Sequence, residues 1–333
     1  MTVSREIRLK SRPVGTPTAD NFQLASVDLP DPGPGEVQVR NSWMTVDPYM
    51  RGRMNDVQSY TPPFQIGQAL QGGAVGEVVA SNDPAFKPGE TVQSFFGWRE
   101  AFNAPAAAVQ KLDTHGLPPQ AFLGATGMPG MTAYIGLLKI AALKPGDVVF
   151  VSGAAGAVGQ IVCQIAKIKG NTVIASAGGA DKIAYLKEIG VDHAIDYKAE
   201  RDLTGALMKA SPEGIDVYFD NVGGAHLEAA LMAARPFGRF ALCGMISQYN
   251  ATDLGPGVRG LIMAVGKQLR LEGFIVSSHG DMQPAFLADM ASWIAQGKIK
   301  WRETVEEGIE NAPAAFLKLF KGENLGKMLV RLS

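Results

Sequence analysis

The stretch from Val148 to Val162, VVFVSGAAGAVGQIV, limits most severely what this chain can become. Four apolar residues suited to a buried parallel strand run into a loop of small residues. That loop opens a helix with Ile161, Val162, Ile165, Ala166 and Ile168 on one face. Glycines let such a loop turn tightly and present backbone N–H groups to an anion at the positive end of the new helix. The spacing Gly153, Gly156, Gly159 is not G-x-G-x-x-G, so the turn alone would also suit a plain tight connection. The continuation decides between the two. The helix ends near Gly170 and leads into a second apolar run, Thr172-Val173-Ile174-Ala175, closing a βαβ unit of about thirty residues, the context of a dinucleotide site.

The end of the second strand selects the dinucleotide. An NAD site places Asp or Glu there to bind the ribose 2′-hydroxyl, and this chain has Ser176-Ala177-Gly178-Gly179 instead. The missing carboxylate leaves room for a 2′-phosphate, and Lys182 follows at the start of the next helix. Asp181 is discordant, but an acidic residue also suits a helix N-terminus. NADP(H) is the expected cofactor.

At 333 residues the chain suggests two domains, and 46% hydrophobic against 19% charged residues is ample for large cores. A net charge of -1 with both signs scattered excludes the basic stripe of a nucleic-acid binder. Cys163 and Cys243 are the only cysteines and read as small buried hydrophobes rather than a bridge. No leader-like or membrane-length apolar run is present, so a cytoplasmic protein without membrane or nucleic-acid partners is expected.

From Ile7 to about Gly127 short strands alternate with turns such as Asp31-Pro32-Gly33-Pro34-Gly35-Glu36, the texture of a small β-barrel-like domain, with Phe95, Phe96 and Trp98 as its aromatic core. Helical spacing begins near Thr132. Strands are then expected at Val148–Val151, Thr172–Ala175, His193–Tyr197, Ile215–Asp220, Gly238–Gly244 and Leu271–Val276, separated by helices. That alternation implies a six-stranded parallel sheet covered on both faces. A helix from Pro284 to Gln296 follows. Beyond Lys300 the texture reverts to turns and a short strand, Lys327–Leu332, so the tail is expected to complete the first domain. The boundaries are 1–127 with 300–333 for the β-rich domain and 128–299 for the Rossmann domain. An uncovered apolar edge at Phe274-Ile275-Val276 would favour pairing with a second copy, hence a homodimer.

Six motifs, in order along nearly the whole chain, carry a family resemblance. They are Asp47-Pro48-Tyr49-Met50-Arg51-Gly52-Arg53-Met54, Gly127-Met128-Pro129-Gly130-Met131-Thr132-Ala133-Tyr134, Ala154-Ala155-Gly156-Ala157-Val158-Gly159, Asp220-Asn221-Val222-Gly223-Gly224, Cys243-Gly244-Met245-Ile246-Ser247-Gln248-Tyr249-Asn250 and Asn324-Leu325-Gly326-Lys327. The chain resembles zinc-independent medium-chain reductases, in the group of prostaglandin reductases, leukotriene B4 dehydrogenases, plant alkenal double-bond reductases and NADPH-dependent curcumin reductases. The resemblance implies a GroES-like catalytic domain with an inserted Rossmann domain, and reduction of a C=C bond conjugated to a carbonyl. It also implies that Lys182 and Tyr197 hold the 2′-phosphate and that Gly156, Ala157, Val158 and Gly159 meet the pyrophosphate. Asn221, Cys243, Gly244, Met245, Ile246, Ser247, Gln248, Tyr249, Phe274, Ile275, Val276 and Asn324 would surround the ribose and nicotinamide.

Zinc relatives carry Gly-His-Glu where this chain has Gly67-Gln68-Ala69. No cysteine precedes Cys163, and His115, His193, His226 and His279 are scattered, so no metal is expected. The charge that builds on a substrate carbonyl oxygen then needs a donor from the protein. Tyr249, just past the fifth strand where open α/β sheets place ligands, is the candidate catalytic and substrate-binding phenol. Tyr49 is the candidate second wall of the substrate site, with Arg51 and Arg53 holding its loop by ion pairs. A quinone reductase of the same fold and a non-catalytic nucleotide-binding protein are the alternatives.

Overall fold

The turns and apolar runs read above become two compact units in the computed structural model, which describes residues 2–253 and 255–332. One unit comprises Met1–Leu123, Glu303–Asn324 and Met328–Ser333; the other comprises Gly124–Arg302 and Leu325–Lys327.

In the first unit β1 (Thr2–Leu9) and β2 (Phe22–Leu29) form an antiparallel pair. The Asp31–Glu36 turn is closed by the Glu36 carboxylate, which accepts from Gly33 N at 2.8 Å, and it delivers the chain into β3 (Glu36–Thr45). Strands β4 (Ala74–Ser81), β5 (Thr91–Ser94), β6 (Ala101–Pro105) and β7 (Val109–Lys111) build outward from β3, whose Val37, Val39 and Met44 are fully buried. Trp98 is the aromatic centre of this unit, stacked 6.1 Å from Phe22 and edge-on to Phe316 at 6.0 Å. Phe96 stacks instead on Phe102 at 4.6 Å, and Phe95 is 74% exposed, so the expected three-residue aromatic core is corrected to Trp98 with partners far along the chain.

The second unit is the Rossmann unit. Strands β8 (Val148–Val151), β9 (Thr172–Ala177), β10 (His193–Asp196), β11 (Ile215–Asp220), β12 (Ala234–Leu242) and β13 (Arg270–Gly273) make a parallel sheet in the order β10-β9-β8-β11-β12-β13. The α/β class, the β-rich partner unit and the six-stranded parallel sheet are as expected from the sequence. The order reverses between β8 and β11, which makes their C-terminal ends the switch point at which such sheets bind ligands. Amphipathic helices pack on the faces, among them Gly159–Ile168, whose Ile161, Val162, Ile165 and Ala166 are all inaccessible to solvent.

Two further expectations fail. The sixth strand ends at Gly273, so Phe274-Ile275-Val276 is not an apolar edge strand. Phe274 turns inward: its ring stands edge-on to Phe219, 6.3 Å between centroids, and a Cβ on Gly136 would lie 2.5 Å from both rings. The edge that remains, β13, is largely exposed and carries Arg270 and Glu272. Beyond Lys300 the chain makes more than turns and one strand. β14 (Glu303–Glu307) and a ten-residue helix, Ala312–Lys321, precede β15 (Lys327–Arg331). Pro313 suits the first turn of that helix, Ala312, Ala315, Phe316 and Leu319 form its buried stripe, and Gly322 in left-handed conformation stops it.

Candidate active site

The glycine turn is built almost entirely by backbone. Gly153 adopts φ +57°, Gly156 N donates to Gly153 O at 3.0 Å, and Ala154 N donates to Ser176 O at 3.0 Å, tying the turn to the end of β9. A Cβ on Gly159 would lie 2.5 Å from Gly153 O and 2.6 Å from Ala154 Cα, so only glycine lets the helix start this close to the turn. Gly156, Ala157 and Val158 lead directly into the N-terminus of the Gly159–Ile168 helix, the geometry that favours a phosphate. A strand-like segment, Leu325–Lys327, clamps this loop: Gly326 pairs with Gly156, and its N–H donates to Ala155 O at 2.7 Å. Asn324 immediately precedes that clamp in the chain and falls in the first unit.

At the switch point Asn221 donates its side-chain amide to Ser152 O at 2.7 Å, joining the ends of β8 and β11. Beneath it lies a network the sequence did not announce. Asp220 Oδ1 accepts from Tyr218 Oη (2.7 Å), Ser152 Oγ (3.1 Å) and the N–H groups of Val222 and Gly223, while its buried Oδ2 has no hydrogen-bond partner. Burial pushes the Asp220 pKa up against those bonds. The network fixes the 221–224 turn, and the turn fixes the next loop. Cys243 N and Gly244 N both donate to Asp220 O, Ile246 N to Asn221 O, and Ser247 Oγ to Val222 O at 2.6 Å.

That loop brings Cys243, Gly244, Met245, Ile246, Ser247, Gln248 and Tyr249 together at the C-terminal end of β12. Tyr249 folds back over it: its hydroxyl accepts from Met245 N at 3.3 Å, and a Cβ on Gly244 would lie 2.8 Å from Tyr249 Oη. Cys243 is a free thiol whose pKa burial raises to about 12, so it is neutral and no nucleophile. Phe274, Ile275 and Val276 follow β13 on the same edge of the sheet, with Phe274 turned into the core as described.

Lys182 stands in the first turn of the helix Ala180–Glu188, half-buried. Desolvation lowers its pKa, and the positive charge of Lys198 lowers it further. Tyr197, just past β10, is 37% exposed and packs edge-on against His226 at 5.1 Å. His226 is buried, sits 3.0 Å from Ser176 Oγ, and has its pKa lowered to about 4 by burial, so it is a neutral support for Tyr197. Sequence reading did not find Lys198 or the support role of His226. The only signal for Lys198 was its place next to Tyr197.

Tyr49 belongs to the first unit, at the start of a short helical turn, Met50–Arg53, anchored by the fully buried Met50 and Met54. Burial, and the Asp47 charge after it, push the Tyr49 pKa up, so the phenol stays protonated. Arg53 donates to the Tyr49 hydroxyl, to Pro62 O at 2.8 Å and to Gln71 Oε1 at 2.9 Å, neutral groups where the sequence suggested an ion pair. Arg51 donates to Asn55 Oδ1 and to Gly15 O, both at 2.8 Å. Within this unit Tyr49, Arg53, Val57, Gln58, Tyr60 and Thr61 line a pocket of about 270 Å³.

A sheet in this order, with a glycine turn at its switch point and a second, antiparallel-sheet unit, defines a nicotinamide-dependent dehydrogenase or reductase. Residues 5–112 match a family described as the N-terminal domain of oxidoreductase, and residues 157–292 match zinc-binding dehydrogenase. Among the described residues no group of three or more His, Cys, Asp or Glu side chains could hold a metal ion. NADPH-dependent curcumin reductase of Escherichia coli is 41% identical, covering 98% of this chain and 96% of that protein. The NADP-dependent 2-alkenal reductase of Nicotiana tabacum is 40% identical over 99% and 98%. The crystal structure of CurA from Vibrio vulnificus in complex with NADPH superimposes with a TM-score of 0.94 at 43% identity, covering 99% of each chain. The chain belongs to the medium-chain dehydrogenase/reductase family, in the group of curcumin, prostaglandin and alkenal reductases, and its cofactor is NADP(H).

Proposed function

We propose that the protein reduces the C=C bond of α,β-unsaturated ketones and aldehydes. NADPH, when bound, supplies the hydride for the β-carbon. Gly156 to Gly159 would receive the pyrophosphate, and Lys182 and Tyr197 the 2′-phosphate. Asn221, the Cys243–Tyr249 loop, Phe274 to Val276 and Asn324 would enclose the ribose and nicotinamide.

Hydride addition to the β-carbon shifts an electron pair onto the substrate's carbonyl oxygen. A hydrogen-bond donor fixed in advance lowers the barrier to that shift. The observation that carries the reading is the position of Tyr249, pinned by Met245 N over Gly244 at the ligand-binding edge of the sheet. Its phenol donates to the developing enolate oxygen. Tyr49, kept protonated and oriented by Arg53 in a pocket with Val57 and Tyr60, suits a second contact to a substrate with an apolar body. The 2-alkenal substrate named for the tobacco relative is of this class.

The reading extends to a homodimer, for which the expected apolar edge at Phe274 to Val276 gives no support, and to the cytoplasm, where the free thiols Cys163 and Cys243 would stay reduced. NADPH consumption measured against enals, enones, quinones and alcohols tests the activity. Turnover is expected with enals and enones. Turnover confined to quinones would assign a quinone reductase, and no turnover at all a nucleotide-binding protein without catalysis.

A further inference from the structure

We propose that Lys198 is the second cation of the 2′-phosphate subsite and, with Lys182, sets the preference for NADPH over NADH. The inference rests on the NADP(H) reading and goes beyond the pair Lys182 and Tyr197.

Three observations place Lys198 there. Its carbon stem crosses the turn after β9: a Cβ on Gly178 would lie 2.9 Å from Lys198 Cδ and Cε, so Gly178 is the residue that admits the stem. One carboxylate ties the two turns into a single corner, since Asp196 Oδ1 accepts from Gly179 N and from Lys198 N, each at 3.0 Å. The corner adjoins the phosphate loop, because Ala154 N donates to Ser176 O just before the turn.

The fold thus holds two ammonium groups within electrostatic reach of one another, at the N-terminus of a nine-residue helix that adds positive potential. Their mutual repulsion is unfavourable in the free protein, and a dianion between them relieves it. Asp181, exposed in the first helical turn, Asp196 and Glu200 are acidic residues of this corner; Asp196 is engaged by backbone N–H groups, and Glu200 N donates to Asp196 O. Lys198 itself is exposed, so its effect falls with salt.

The test is calorimetric binding to the cofactor-free protein of NADPH, NADH, 2′,5′-ADP and 5′-ADP. Wild type is compared with Lys198→Met, which keeps the stem and removes the charge. The variant is expected to bind NADPH and 2′,5′-ADP roughly tenfold more weakly, between a screened surface pair and a strong charged hydrogen bond, with NADH and 5′-ADP within about twofold. Its 2′,5′-ADP affinity should also depend less steeply on salt. Equal weakening of all four ligands, or unchanged 2′,5′-ADP binding while wild type prefers NADPH, overturns the role of Lys198 alone. A wild type that binds NADPH and NADH equally overturns the cofactor reading and this proposal with it.

Discussion

The glycine turn of the Rossmann unit and the Asp47–Thr61 segment of the first unit both carry candidate site residues, but different forces shape them. The turn is fixed by main-chain hydrogen bonds, by a close approach that only glycine permits at Gly159 and by a left-handed conformation that favours glycine at Gly153. The segment around Tyr49 is fixed by side chains reaching distant places, Arg51 to Gly15 O and Arg53 to Pro62 O and Gln71, with Met50 and Met54 as apolar anchors. A backbone-built site tolerates side-chain change, whereas a side-chain-built site changes with each anchor.

Four experiments sharpen or break that contrast. The largest effect is expected at Tyr249, whose phenol serves the transition state. Tyr249→Phe should lower kcat and kcat/KM together, by up to about a hundredfold, about 2.7 kcal/mol, and leave NADPH affinity nearly unchanged. Wild-type kcat on an enone whose chemical step limits the rate would reduce Tyr249 to a packing residue.

His226 comes next. It is neutral in the folded protein down to about pH 4, whereas an unfolded histidine takes up a proton near 6.5. Between those values the unfolded state binds more protons, so stability falls as pH drops through the window. The loss amounts to up to about 3 kcal/mol at its acid end. Urea unfolding across that window should show the slope, and His226→Asn should flatten it. An identical slope in the variant would assign the acid sensitivity to other groups.

Lys182→Ala is expected to weaken NADPH by roughly 1.5 to 3 kcal/mol while NADH changes little, with Tyr197→Phe giving a smaller loss of the same sign. Equal losses for both nucleotides in a binding titration would show that Lys182 does not meet the 2′-phosphate. The smallest effect belongs to the side-chain-built region: Tyr49→Phe should raise KM by about two- to tenfold with kcat preserved, as for a lost neutral hydrogen bond. A fall in kcat at constant KM would move Tyr49 from substrate wall to catalytic donor and erase the contrast.

The same contrast governs what the sequence could convey. Strands β8 and β11 lie at the bounds read from their apolar runs because both are buried between neighbouring strands, where composition leaves no other choice. Phe274 was misread because an apolar triplet looks the same whether it extends an edge strand or turns inward against Gly136 and Phe219. The helix Ala312–Lys321 was missed although its buried residues recur at helical spacing, since the surrounding glycines and prolines read as turns. Lys198, the support of Tyr197 by His226 and the Asp220 network depend on strands far apart in sequence lying side by side, which no local pattern records.

The central claim is that hydride reaches the β-carbon of a conjugated C=C bond. The most direct measurement is the position of deuterium in the product when NADPH labelled at the transferred hydrogen is turned over with a simple enone. A saturated ketone bearing deuterium on the β-carbon is the predicted result; deuterium on the carbonyl carbon of an allylic alcohol would contradict it.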